Sequence, residues 1–113
     1  MSGFDYAAQE AETERQWAAF SADPRMPAAA RLDLHFVPGP EADATEFIGW
    51  LEDRGFEIEH YEADEDSGEA EVIEAQTPTM DLTLDAIRAE EVRTTEAALR
   101  YGWVPTGWGF MVE

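Results

Sequence analysis

Two stretches of helical spacing, each stopped by a glycine and followed by an alternating segment, constrain this chain's fold more than any other feature. From about Asp43 to Arg54, Ala44, Phe47, Ile48 and Leu51 recur on one helix face, and Gly55 stands at the C′ position, where positive φ is common. Phe56, Ile58 and His60 then alternate with Glu57, Glu59 and Tyr61, the period of a strand. The second stretch, residues 83–102, sets Leu84, Ile87, Glu91, Thr94, Ala98 and Tyr101 near one face and stops at Gly102. A final strand is expected over about 107–112, where Trp108, Phe110 and Val112 alternate.

The remaining segments fit the same frame. Arg31 to Val37 reads as a strand with Leu32, Leu34 and Phe36 on one side and Arg31, Asp33, His35 and Val37 on the other, closed by Pro38-Gly39-Pro40. Residues 64–68 are turn chemistry, and a third strand over about 69–77 completes a hairpin with the second. The order β-α-β-β-α-β implies an α+β, ferredoxin-like antiparallel sheet with both internal helices on one face. An amphipathic helix over 4–21 precedes it, with Tyr6, Thr13, Trp17 and Phe20 on a stripe and Gln9, Glu12 and Arg15 elsewhere. Asp23-Pro24 and Pro27 end that helix. The expected organisation is therefore residues 1–29 as helix and linker and 30–113 as the sheet domain, with the first helix over the other sheet face or an edge.

Charge narrows the function classes. The 113 residues hold 26 Asp and Glu against seven Arg and no Lys, a formal net charge of −19. Residues 1–40 carry six acids and three Arg, net −3, whereas residues 41–113 carry twenty acids and four Arg, net −16. Such a field repels phosphate backbones and attracts basic protein surfaces. The acids concentrate at the hairpin, where Glu59, Glu62, Asp64, Glu65, Asp66, Glu69 and Glu71 surround one turn. A solvated acidic face is the plain alternative there, and general acidity also serves solubility. Cysteine is absent, which excludes disulfides and thiolate chemistry. The opening residues lack the cationic and apolar regions of a signal peptide, and no apolar run approaches the ~20 residues that span a bilayer. A soluble, cytoplasmic protein is expected.

Catalytic and metal motifs are weak. Asp64 to Gly68 begins like a calcium loop, but Gly68 falls on a ligand position and Ala75 stands where a bidentate Glu belongs. His35 and His60 with Asp33 or Glu59 outline an imaginable metal site, less favoured than solvated strand histidines. Carboxylate pairs are unavoidable in so acidic a chain and specify nothing. No cofactor is expected. Of the tryptophans, Trp108 between Gly107 and Gly109 reads as core more than as an interface anchor, Trp103 before Val104-Pro105 reads as the exposed ring, and Trp50 fits either environment.

The chain resembles the RraB family, regulators of ribonuclease E activity. The resemblance rests on the acidic first helix ending at Asp23-Pro24, on the strand-helix-Gly-strand unit from Leu32 to Ile58, and on the long helix running from Tyr101 into Gly107-Trp108-Gly109. It implies a ferredoxin-like, non-enzymatic protein that binds an RNase E-type endoribonuclease, an enzyme with Arg-rich RNA-binding segments, and restrains it. Thr106 stands where the family commonly has Asp, and some members extend further into an acidic tail. The residues expected to meet the partner are Glu62, Asp64, Glu65, Asp66, Glu69, Trp103 and Trp108. Two other readings are an interaction module, homodimeric through an edge or the open sheet face with His35, Glu57 and Tyr61 buried, and a small enzyme using a carboxylate pair.

Overall fold

The computed structural model describes residues 4–64, 66, 68 and 70–110. It is α+β, with three helices and two antiparallel sheets among those residues. Helix α1 (Tyr6–Ser21) is followed by the short strand β1 (Ala29–Ala30), then β2 (Leu32–Pro38), α2 (Ala44–Asp53), β3 (Glu57–Tyr61), β4 (Val72–Gln76), β5 (Met80–Asp81), α3 (Leu84–Arg100) and β6 (Trp103–Phe110). The main sheet runs β3-β4-β2-β6, so β4 lies between the two strands that α2 connects. The two-residue strands β1 and β5 make a separate ladder that the sequence did not announce.

Each helix begins where a side chain can satisfy its first free N–H groups. Asp5, Asp43 and Thr83 accept from Ala8 N at 2.9 Å, Glu46 N at 3.0 Å and Ala86 N at 3.1 Å. Each internal helix ends at the anticipated glycine, Gly55 with φ +84° and Gly102 with φ +83°.

The alternation of β2 holds: Leu32, Leu34 and Phe36 are buried and their neighbours are half-buried on the opposite face. Phe47 and Leu51 of α2 and Ile87, Ala97 and Ala98 of α3 share the same core cluster, so both helices cover one face of the sheet. Phe36 and Phe47 meet edge to face at 4.9 Å.

Two boundaries differ from the sequence reading. The third strand begins at Val72 rather than near Glu69, which lies outside the described residues. The last strand begins at Trp103, four residues early, because the Gly102 turn delivers the chain straight into the ladder with β2. Residue pairing then slips: Pro105 faces Phe36 and Gly107 faces His35, leaving Thr106 as an extra residue. That bulge inverts the alternation, so Trp103 and Pro105 point to the core side before it and Trp108 and Phe110 after it.

Helix α1 does not cross the open face of the sheet. It docks on α3 and beside edge strand β6, with Phe20 4.9 Å from Phe110 and 5.7 Å from Trp108. Gln9, placed off the stripe by spacing, donates to Thr95 Oγ1 at 2.9 Å across the helix contact.

Candidate protein-interaction site

The sheet face opposite the helices is built from the polar half of each strand's alternation. Asp33 and His35 of β2, Glu74 and Gln76 of β4, and Glu57, Glu59 and Tyr61 of β3 stand on it. Register sets them in rows: Glu59, Glu74 and His35 share one, and Glu57, Gln76 and Asp33 the next. Gln76 Nε2 donates to Asp33 Oδ1 at 2.7 Å, and His35 Nε2 lies 3.8 Å from Glu74 Oε1. Arg31 caps one end, its Nη1 3.1 Å from Glu57 Oε2 while its Nε donates to Thr77 O at 2.9 Å. The Tyr61 hydroxyl donates to Glu59, and that hydrogen bond raises the phenol's pKa.

Beyond this face, Glu62, Asp64 and Asp66 are exposed on the β3–β4 turn. Asp66 N donates to Asp64 Oδ1 and Gly68 N to Asp64 O, both at 2.9 Å. Glu65 and Glu69, expected to belong to the same surface, lie outside the described residues. At the base of the turn, His60 Nε2 is 2.6 Å from Glu71 Oε2.

His60 points to the core side and stands edge-on to Trp103 at 6.1 Å. His35 stands on the opposite face, so the two histidines cannot share an ion. Among the described residues, no group of three or more His, Cys, Asp and Glu is arranged to hold a metal.

The tryptophans divide differently from the sequence reading. Trp108, 7% exposed, is core, and its indole Nε1 donates to Thr13 Oγ1 at 3.2 Å. Trp103, expected to be the exposed ring, is 0% exposed and packs 6.2 Å from Phe47. The bulge at Thr106 is the physical reason, since it turns Trp103 inward. Trp50 is half-buried with the Arg54 guanidinium 4.4 Å over its ring.

Sequence spacing placed Thr13 and Glu91 on apolar stripes but did not join them. In the structure Trp108 donates to Thr13, whose hydroxyl donates to Glu91 Oε1, linking β6, α1 and α3. Two polar residues on the inward stripes of different helices were the available signal. Burial raises the pKa of Glu91, opposed in part by the Thr13 hydrogen bond.

Glu91 therefore binds its proton more tightly folded than unfolded. The stability it withholds at neutral pH is regained as pH falls through its folded pKa, fully so below the unfolded value of about 4.3. Glu91→Gln keeps an acceptor for Thr13 without the charge. Its melting temperature should exceed that of the unmodified chain at pH 7, with the difference shrinking toward pH 4; a constant difference would contradict the assignment.

The RraB family, described as Regulator of ribonuclease activity B, matches residues 9–110. The chain belongs to the RraB family. The match begins within α1 and ends at the close of β6, so it takes in the Thr13–Glu91–Trp108 link and the whole main sheet. Thr106 occupies the bulge, and its hydroxyl donates to His35 O at 3.3 Å. No curated protein matches the chain. No helix among the described residues is long and apolar enough to cross a membrane.

Proposed function

We propose that this chain is a non-enzymatic, cytoplasmic regulator that binds an RNase E-type endoribonuclease through its acidic surface and restrains its action on RNA. The observation that carries the reading is the family match over residues 9–110 in a chain of net charge −19. A ribonuclease must hold a polyanion with cationic groups, and an acidic protein surface competes for those same groups. In this reading Glu62, Asp64 and Asp66 at the hairpin, with Glu65 and Glu69 beside them in sequence, steer the basic partner inward. Trp103 and Trp108 support the sheet from within rather than touching the partner.

The β-α-β-β-α-β order of the main elements supports a ferredoxin-like description of the platform. Glu91 fits a structural role: burial raises its pKa, and it accepts from the Thr13 hydroxyl at the contact of α1 with α3.

The test is capture of a purified RNase E-type enzyme on the immobilised chain at about 50 mM and about 500 mM salt. Retention at the lower salt and release at the higher is expected. An enzyme that passes through unretained at both removes the proposal.

A further inference from the structure

The outward face of the main sheet holds an electrostatic imbalance that the fold itself does not resolve. Glu59 and Glu74 are directly paired across β3 and β4, which brings like charges within about 5 Å at Cβ and costs folding energy. Among the described residues, Glu59 is met by the Tyr61 hydroxyl alone, and Glu74 by His35 at 3.8 Å. Asp33 and Glu57 stand in the adjoining row, and a cavity of about 310 Å³ opens over both rows.

The molecule shows how such a carboxylate is answered. Arg31 reaches onto the end of this face with one guanidinium nitrogen on Glu57 and another on the Thr77 carbonyl. Arginine suits the role because its planar fork spans two acceptors and stays charged when partly desolvated. The Glu59–Glu74 pair offers two acceptor groups one row further on. Tyr61, 47% exposed in the row beyond, opposite Val72, adds an aromatic ring for a second cation.

Other occupants fit poorly. A second copy would stack Asp33, Glu57, Glu59 and Glu74 against their own counterparts, and nucleic acid or an anionic lipid surface would meet the same repulsion. We infer that the uncovered face of the β3-β4-β2-β6 sheet is the docking surface for an arginine-rich segment of a protein partner, with a guanidinium seated between Glu59 and Glu74. This rests on the ribonuclease reading only for the partner's identity. The surface and its arginine chemistry stand on the geometry.

The test uses the full chain with fluorescent octa-arginine and octa-lysine at about 50 mM salt. Two variants are compared, E59Q/E74Q on the face and D64N/D66N on the turn. Each removes two charges, so a difference between them reports position rather than net charge. Octa-arginine should bind the unmodified chain several-fold more tightly than octa-lysine. E59Q/E74Q should weaken octa-arginine about tenfold or more and D64N/D66N about threefold at most.

Equal losses in the two variants, a larger loss in the turn variant, or no binding of octa-arginine would each overturn the inference. Thermal melting establishes that the variants are folded. Should the double face variant not fold, Glu59→Gln against Asp64→Asn repeats the comparison, with the larger loss again expected on the face. A parallel RNA-cleavage assay separates the two readings. If the unmodified chain and E59Q/E74Q restrain a ribonuclease equally, the face assignment falls and the ribonuclease reading stands. If neither affects cleavage while the peptides still discriminate, the ribonuclease reading falls and the docking face stands.

Discussion

Trp103→Ala should cost about 3–5 kcal/mol of stability, a large share of the ~5–15 kcal/mol typical of a domain. The ring is wholly buried beneath the sheet, between Phe47 of α2 and His60 of β3, so truncation leaves a cavity that two layers border. Its Nε1 is a buried donor with no acceptor among the described residues. Trp103→Phe should therefore cost less than lost volume alone implies, because it also removes an unpaired polar group. Urea unfolding of both variants measures this. Were Trp103 instead an exposed partner contact, alanine would shift stability by no more than about 0.5 kcal/mol and would weaken binding.

Gly102→Ala carries the second large effect, at least about 2–3 kcal/mol of destabilisation. Positive φ strains any side chain there, and a Cβ would stand 2.6 Å from Glu41 O and 2.9 Å from Ala42 Cα. That backbone cannot yield easily, because Gly39 N donates to Gly102 O and Asp43 N to Tyr101 O, both at 2.8 Å. These bonds tie the end of α3 to the segment that starts α2. Gly49 is the internal control, since it lies within α2 and an added Cβ meets nothing within 4 Å. Gly49→Ala should stabilise by about 0.5–1 kcal/mol through helix propensity. Opposite signs for two Gly→Ala changes in one chain would show that the junction, not glycine content, sets the cost.

Period and punctuation carried most of the fold. Leu32, Leu34 and Phe36 alternate without interruption and fixed the buried face of β2, while Asp43, Gly55, Thr83 and Gly102 mark the helix ends they occupy. The bulge at Thr106 was not legible, since a one-residue slip in pairing leaves no mark on composition yet reverses which residues face inward. Its place before Val104-Pro105 set Trp103 as the exposed ring, the reverse of its buried position. The docking of α1 was half legible: Thr13, Trp17 and Phe20 lie on its stripe, but the contact is completed by polar groups, Gln9 to Thr95 and Thr13 to Glu91, that hydrophobic spacing does not register.

The candidate surface divides the same way. Acidic density between Glu59 and Glu71 marks the hairpin in the sequence, and Glu62, Asp64 and Asp66 are exposed there. The rows of the open face were hidden because they join residues far apart in sequence: Asp33 meets Gln76, and His35 stands opposite Glu74, only once β4 pairs with β2. Sequence density found the steering charge. Strand register assembles the place where a guanidinium would rest.

The most direct measurement of the central claim is the rate of RNA cleavage by a purified RNase E-type endoribonuclease with increasing amounts of this chain, at low and at high salt. The account predicts a fall in rate that saturates with added chain at low salt and weakens as salt screens the acidic surface. A cleavage rate unmoved by excess chain at either salt concentration would contradict it.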